Sequence, residues 1–247
     1  VAPEEACEYF VKGNTTWATI GDSHSVELAY ALGQELKATN EGLKHFSFSG
    51  CRPSYGKSEG FSKCAKWYNS SLEFIADEPK IQNVVFVHRY SYQLVCGSNK
   101  TYPDLRNLKF DNESVELLQN IDRAIHKLAS SKQRVYVLYP IPELPTHITK
   151  LIDRELSVNG ELISIEGTER SWYEERNAVI INHFKSANYP DNVVLINPAN
   201  YFCGSEACFS TKGGHSLYFD DNHVSNYGAS LIAEDIIQNK NSGISVL

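Results

Sequence analysis

The sequence predicts an α/β fold: a parallel sheet of five strands in a doubly wound arrangement, with helices on both faces. Three observations carry this. The length of 247 residues suits one α/β domain with a substantial core. Five short apolar or alternating runs recur along it, and segments long enough for helices separate them. No internal repeat or low-complexity tract interrupts the pattern.

In chain order, residues 1–15 are polar, carry Cys7 and read as a linker. Thr16–Ile20 is a strand that runs through Gly21-Asp22-Ser23 into a helix over Ser25–Lys37, whose Leu28, Leu32 and Leu36 share a face beside Ala29. The alternation of "HFSFS", 45–49, is a second strand, broken by Gly50-Cys51-Arg52-Pro53 and a loop to Lys63. "NVVFV", 83–87, is apolar throughout, as a central parallel strand buried on both faces must be. Asn112–Ser130 is a helix with Leu118, Ile121, Ile125 and Leu128 in register. "RVYVLYPIP", 134–142, is a buried strand stopped by proline, Trp172–Ser186 a helix, and "NVVLI", 192–196, the fifth strand. Ser225–Gln238 closes the chain as an amphipathic helix. Ligands of such sheets bind beyond the carboxyl ends of the strands, here Gly21-Asp22-Ser23, Gly50-Cys51, His88-Arg89-Tyr90, Pro140-Ile141-Pro142 and Asn197-Pro198.

Composition narrows the partners. A net charge of -7 without a Lys/Arg stripe argues against nucleic acid. No apolar run approaches the ~20 residues of a membrane span, and the start lacks the apolar core of a signal peptide. Methionine is absent even from position 1, so the chain is expected to be a processed product or a piece of a longer protein. The six cysteines lack the paired CxxC spacing of a zinc site. Short spacings suggest Cys51–Cys64 and Cys203–Cys208, leaving Cys7–Cys96; six free thiols of a cytosolic enzyme are the other reading. The polar, turn-rich surroundings of Cys51 and Cys203 favour disulfides and an oxidising compartment. The sequons at Asn14, Asn69, Asn99 and Asn112 would carry glycan only in a eukaryotic secretory pathway.

Two segments carry chemistry. Ser23 comes just after the first strand, with its hydroxyl at the strand's carboxyl end and its N–H at a helix N-terminus, where developing negative charge is stabilised. The plainer reading is that Asp22, Ser23 or Ser25 caps the helix. Near the other end of the chain, "YFDDNHVS" sets Asp220 three residues before His223, with Ser225 as a helix cap. A serine needs an imidazole to take its proton, and the imidazole needs a carboxylate to fix its tautomer. Asp and His three apart can meet across one turn. Asp221 is a solvated neighbour or the backup acid; His24 packs locally or serves as a base; His88 lines the cleft or braces Tyr90. No histidine pair has metal-ligand spacing, so no metal is expected. Tyr90 and Tyr218 are candidates for stacking on sugar rings.

Gly21-Asp22-Ser23 and Asp220-x-x-His223 resemble the first and last motif blocks of the SGNH (GDSL-type) hydrolases. "GDSH", "GCRP", the "HRY" after the third strand, "YPIPEL", the C-x4-C loop and "YFDDNHVS" resemble more narrowly the extracytoplasmic SGNH domains fused to bacterial acyltransferase-3 membrane proteins. The resemblance spans about residues 16–240, and is strongest at its two ends. It implies a flavodoxin-like three-layer α/β/α fold and a triad of nucleophile Ser23, general base His223 and orienting acid Asp220. The oxyanion hole it implies uses the N–H groups of Ser23 and Gly50. The family's Gly-x-Asn after the third strand is replaced by His88-Arg89-Tyr90, a departure that removes ~3 kcal/mol of transition-state stabilisation unless compensated. Arg89 either reaches the oxyanion or substrate in its place, or pairs with a structural carboxylate.

The resemblance further implies residues 1–15 as the connection to a preceding transmembrane acyltransferase-3 domain of the same parent chain, and 16–247 as the SGNH domain. It implies a periplasmic position at a bacterial inner membrane and a surface polysaccharide, such as lipopolysaccharide O-antigen, as acceptor. No cofactor is expected in this domain, the acetyl group coming from acetyl-CoA through the membrane domain. Three activities stay open: O-acetyl transfer through an acyl-serine, hydrolysis by a secreted carbohydrate esterase, and glycan binding without catalysis.

Overall fold

A computed structural model describes residues 2–10, 14–94 and 110–242. In chain order the elements begin with β1 (Cys7–Tyr9), β2 (Asn14–Gly21), α1 (Val26–Leu36) and β3 (Glu41–Ser47). Next come α2 (Lys63–Asp77), β4 (Asn83–Val87), α3 (Tyr90–Leu94), α4 (Asn112–Ala129) and β5 (Arg134–Leu138). They continue with α5 (Ile148–Asn159), β6 (Glu166–Glu169), α6 (Arg170–Ser186), β7 (Val193–Ile196) and α7 (Ala199–Phe202). Short strands β8 (Ala207–Phe209), β9 (Thr211–Lys212) and β10 (His215–Ser216) precede the closing α8 (Asn226–Ser242).

The main sheet runs β1-β3-β2-β4-β5-β7. β3, β2, β4, β5 and β7 are mutually parallel and are the five expected strands. Numbered among themselves in chain order they stand 2-1-3-4-5, the flavodoxin-like order, which reverses direction between β2 and β4. The sixth strand was not foreseen. Within the segment read as a linker, β1 pairs antiparallel with β3 at the sheet edge. β3 also begins at Glu41, earlier than the alternation at 45–49 suggests, and ends before Phe48. The polar "EGLK" hides that start. Lys44 is nonetheless buried, its Nζ donating to the Glu4 carbonyl and Glu8.

Alternation within each strand divides the core in two. Trp17, Val85, Val87, Tyr136 and Leu138 face α1 and α8 on one side. Ala18, Ile20, Val84, Phe86, Val135 and Val137 face α2, α4 and α6 on the other. Trp17 stacks on Tyr136 across the sheet at 5.5 Å. Each such fully buried side chain contributes ~1.5–3 kcal/mol relative to exposure. Disulfides Cys51–Cys64 and Cys203–Cys208 form as the spacings suggest. Cys96 lies outside the described residues, and with it the Cys7–Cys96 pairing; so does Asn99. No described helix is long and apolar enough to cross a membrane.

Gly21 ends β2 opposite Val87 at the end of β4. A Cβ there would sit 2.0 Å from the Val87 carbonyl oxygen. Gly21→Ala therefore forces the two strand ends apart. Urea unfolding is expected to show a loss of about 1–3 kcal/mol; an unchanged midpoint would contradict this close approach.

Candidate active site

The site begins at Asp22, the residue after Gly21. Asp22 is 2% exposed, a carboxylate buried at the point where strand order reverses. Its Oδ1 accepts the His24 N–H at 3.0 Å. Its Oδ2 accepts the Arg89 N–H at 2.9 Å and the Gln93 side-chain amide at 2.9 Å. His88 Nδ1 stands 3.7 Å from Oδ2, beyond hydrogen-bond reach, and acts through space. Burial alone would raise the Asp22 carboxyl pKa. His88, His24 and the Arg89 N–H outweigh it and hold the group well below the carboxylate range.

That anchored carboxylate settles the capping question raised by the sequence. Asp22 caps the 3-10 turn Ser23–Ser25 that leads into α1. Ser25 Oγ donates back to the Asp22 carbonyl at 2.7 Å. Ser23 is left free of both tasks, and its Oγ lies 2.8 Å from His223 Nε2. His223 Nδ1 is 2.6 Å from Asp220 Oδ2. The ionised Asp220 carboxylate accepts a hydrogen bond from the Nδ1–H, so Nε2 is left with a lone pair toward Ser23.

The loop carrying Asp220 and His223 is itself fixed. Asp220 Oδ1 accepts the N–H groups of Asn222 and His223 at 2.8 and 2.7 Å. Burial pushes the Asp220 carboxyl up, but these two donors and the imidazole bring it below its ordinary value, so it stays ionised. Leu144 and Ile148 donate their N–H groups to the carbonyls of Asp221 and Asp220. Ser225 caps α8 as expected, its Oγ accepting the Gly228 N–H.

The turn after β3 is joined to the end of β2 by the Phe48 N–H, which donates to the Gly21 carbonyl at 3.2 Å. Gly50 sits at φ +69°, in the region that favours glycine, within a turn closed by Cys51 N–H to the Phe48 carbonyl. Gln93 joins this turn to Asp22 by donating also to the Cys51 carbonyl at 3.3 Å. Among the described residues the N–H groups of Ser23 and Gly50 have no acceptor. Arg89 takes the structural alternative for its Nε. It donates to Glu143 Oε1 at 2.6 Å, and Arg176 Nε holds Glu143 Oε2 at 2.5 Å. The Arg89 guanidinium also lies over the Tyr92 ring at 4.7 Å.

Ser23, His223 and Asp220 are thus brought together, with Gly50 tied in through Cys51 and Gln93, while Arg89 contributes a backbone N–H and turns its side chain to Glu143. His24 packs locally: Nε2 bonds Asn222 Oδ1 at 2.9 Å, and Asn222 Nδ2 bonds Asp221. Burial lowers the His24 pKa. Asp221 therefore serves Asn222, not His223. His88 does not line a cleft; it is buried, with Nε2 3.1 Å from Tyr68 OH and its ring edge-on to Tyr90. Tyr90 and Tyr218 are each 1% exposed, which removes them as sugar-stacking platforms. Their large rings fill the core at positions that look cleft-facing in sequence. Gln93, Glu143, Arg176 and Asn222 were missed. Only Glu143, a carboxylate between prolines at a strand's carboxyl end, gave a sequence signal.

Because the folded Asp22 pKa is depressed, its stabilising contribution is present above the ordinary carboxylate value of about 3.9 and is lost progressively as pH falls from there toward the folded value. Asp22→Asn presents an amide to three donors. It is expected to cost about 2 kcal/mol or more near neutral pH, and to flatten the acid side of the stability profile. Urea midpoints measured across pH for both proteins check this; parallel profiles would contradict it.

The fold has solved counterparts. The periplasmic domain of a lipopolysaccharide acetyltransferase from Salmonella ser. Paratyphi A superposes with a TM-score of 0.63 at 15% identity, covering 94% of this chain and 85% of that one. An inhibitor-bound aryl esterase from M. Smegmatis gives 0.53 at 10% identity, covering 92% and 99%. A variant acetyl-xylooligosaccharide esterase from Geobacillus Stearmophilus gives 0.50 at 11% identity, covering 93% and 95%. At these identities the likeness is one of fold. No curated protein sequence matches the chain. The sequence does match, over residues 2–238, the family described as "SGNH domain (fused to AT3 domains)". The chain belongs to the family of SGNH domains that are fused to AT3 domains.

Proposed function

We propose that this domain transfers an acetyl group through an acyl-serine onto a hydroxyl of a cell-surface polysaccharide, such as lipopolysaccharide O-antigen. The observation that carries the reading is the hydrogen-bonded series Asp220–His223–Ser23, at 2.6 and 2.8 Å. Family membership and the likeness to a lipopolysaccharide acetyltransferase domain support it.

In this reading Ser23 Oγ attacks the acetyl carbonyl carbon as His223 Nε2 takes the hydroxyl proton. Negative charge gathers on the carbonyl oxygen, facing the N–H groups of Ser23 and Gly50. The donor's leaving group departs with the proton held by His223, and acetyl-Ser23 remains. An acceptor hydroxyl then gives its proton to His223 and attacks the ester carbonyl; the new ester leaves as Ser23 regains a proton. Asp220, ionised throughout, stabilises the imidazolium formed in each half-reaction. Arg89, held by Glu143, serves the site through its backbone bond to Asp22 and its charge near His24.

The reading extends beyond the chain. A membrane acyltransferase-3 domain of the same parent protein would deliver acetyl drawn from acetyl-CoA. Residues 1–15 would connect to it, with β1 pinning that connection to the sheet edge. The domain itself would work in the periplasm, needing neither cofactor nor metal.

A chromogenic acetyl ester, with and without O-polysaccharide, tests this. Ester cleavage is expected to fall about 10⁴-fold or more in Ser23→Ala and in His223→Ala. O-polysaccharide is expected to divert acetyl from water to sugar. Glycan acetylation that survives Ser23→Ala would overturn the proposal, and release to water alone at every glycan concentration would make the domain an esterase.

A further inference from the structure

Resting on the acyl-transfer reading, we propose that the groove beside His223, between Glu27, Phe219, Tyr227, His215 and Asn226, is a neutral-sugar subsite. It would seat the acceptor pyranose next to the one being acylated.

Direction comes from the chemistry. The acceptor hydroxyl must hand its proton to His223, so the acceptor approaches on the imidazole side of Ser23 and the oxyanion forms on the Gly50 side. A glycan leaving the reaction centre on the imidazole side meets Phe219 first. That ring lies nearly parallel to the His223 imidazole, 5.4 Å centre to centre at 12°, and is 50% exposed. Beyond it opens a groove of about 570 Å³.

Its lining suits a sugar. Phe219 offers an exposed ring to the C–H face of a pyranose, and Tyr227 and His215, packed on each other at 4.7 Å, border the groove. Glu27 and Asn226 offer the polar edge. Glu27 Oε2 is buried without a hydrogen-bond partner, a carboxylate oxygen lacking the donors it would have in water. Sugar hydroxyls are donors that would restore them, in charge-assisted bonds, once the Glu27 carboxylate turns out into the groove. Burial raises the Glu27 carboxyl pKa, and the His223 imidazole partly opposes that rise. Among the described residues lining the groove none is Lys or Arg, so a phosphate or other anion has no counter-charge there. The groove on the Gly50 side differs: its Arg52 and Lys57 are already paired with Glu113 and Glu116.

Saturation-transfer NMR on the Ser23→Ala chain, with neutral trisaccharides of glucose, mannose and rhamnose as probes, tests the subsite without turnover. Transfer from aromatic protons to at least one probe is expected. Phe219→Ala should abolish it, and Glu27→Gln should weaken binding about tenfold. Circular dichroism verifies that each variant is folded; if Phe219→Ala is not, Tyr227→Ala takes its place with the same expectation. No transfer to any probe, or transfer undiminished in both variants, overturns the subsite. Because binding is read without chemistry, sugar binding in a chain that never forms acyl-serine would leave the subsite standing and remove the acyl-transfer reading. Acetylated glycan with variant-independent binding would do the reverse.

Discussion

The buried carboxylate of Asp22 is the constraint on which the rest of the site depends. An uncompensated charge at that depth would cost several kcal/mol. Here it is met by donors from two segments that the chain order keeps apart: the turn after β2 and the stretch after β4. Gly21 allows those strand ends to close, and Asp22 locks them once closed. The Ser23 hydroxyl is thereby relieved of capping. In an ordinary strand-to-helix turn the serine would spend its oxygen on the helix; here the aspartate before it does that work, and the serine faces outward.

A second set of bonds brings the far end of the chain to meet it. Asp220 and His223 share one loop, so the acid and base cannot separate, and that loop hangs on the β5–α5 connection through Leu144 and Ile148. The same connection supplies Glu143, which gathers Arg89 and Arg176. Arg89 thus touches both halves, by its N–H to Asp22 and by its side chain to Glu143. His24 and Asn222 add a direct link between the nucleophile turn and the acid-base loop. The geometry of Ser23, His223 and Asp220 is therefore held by carboxylates outside that set.

The periodic parts of this arrangement were legible in the sequence. "NVVFV" and "RVYVL" are buried on both faces and say so in every residue. The helices over α1, α4 and α8 announce themselves through leucine and isoleucine at helical spacing. Ser23 after a strand, and Asp220 and His223 in the loop before the last helix, stood out because their residue types fit one chemistry. What stayed hidden was set by partners distant in sequence. β1 is three residues with no apolar pattern, visible only when β3 offers an edge. α2 and α5 went unassigned: α5 buries only Ile148, and the Tyr68, Leu72 and Ile75 of α2 are set among polar neighbours. Tyr90 and Tyr218 lie near strand ends yet point into the core, which sequence position cannot reveal. Arg89 had two readings in sequence, and only the folded position of Glu143 chooses between them.

The most direct test of the central claim is to trap the nucleophile. A serine-directed sulfonyl fluoride, combined with peptide mapping and a crystal structure of the adduct, would locate both the reactive oxygen and its stabilising donors. The account predicts a single adduct on Ser23, absent from His223→Ala, with a sulfonyl oxygen accepting from the N–H groups of Ser23 and Gly50. An adduct on another serine, or a sulfonyl oxygen held by the Arg89 guanidinium after it leaves Glu143, would contradict it.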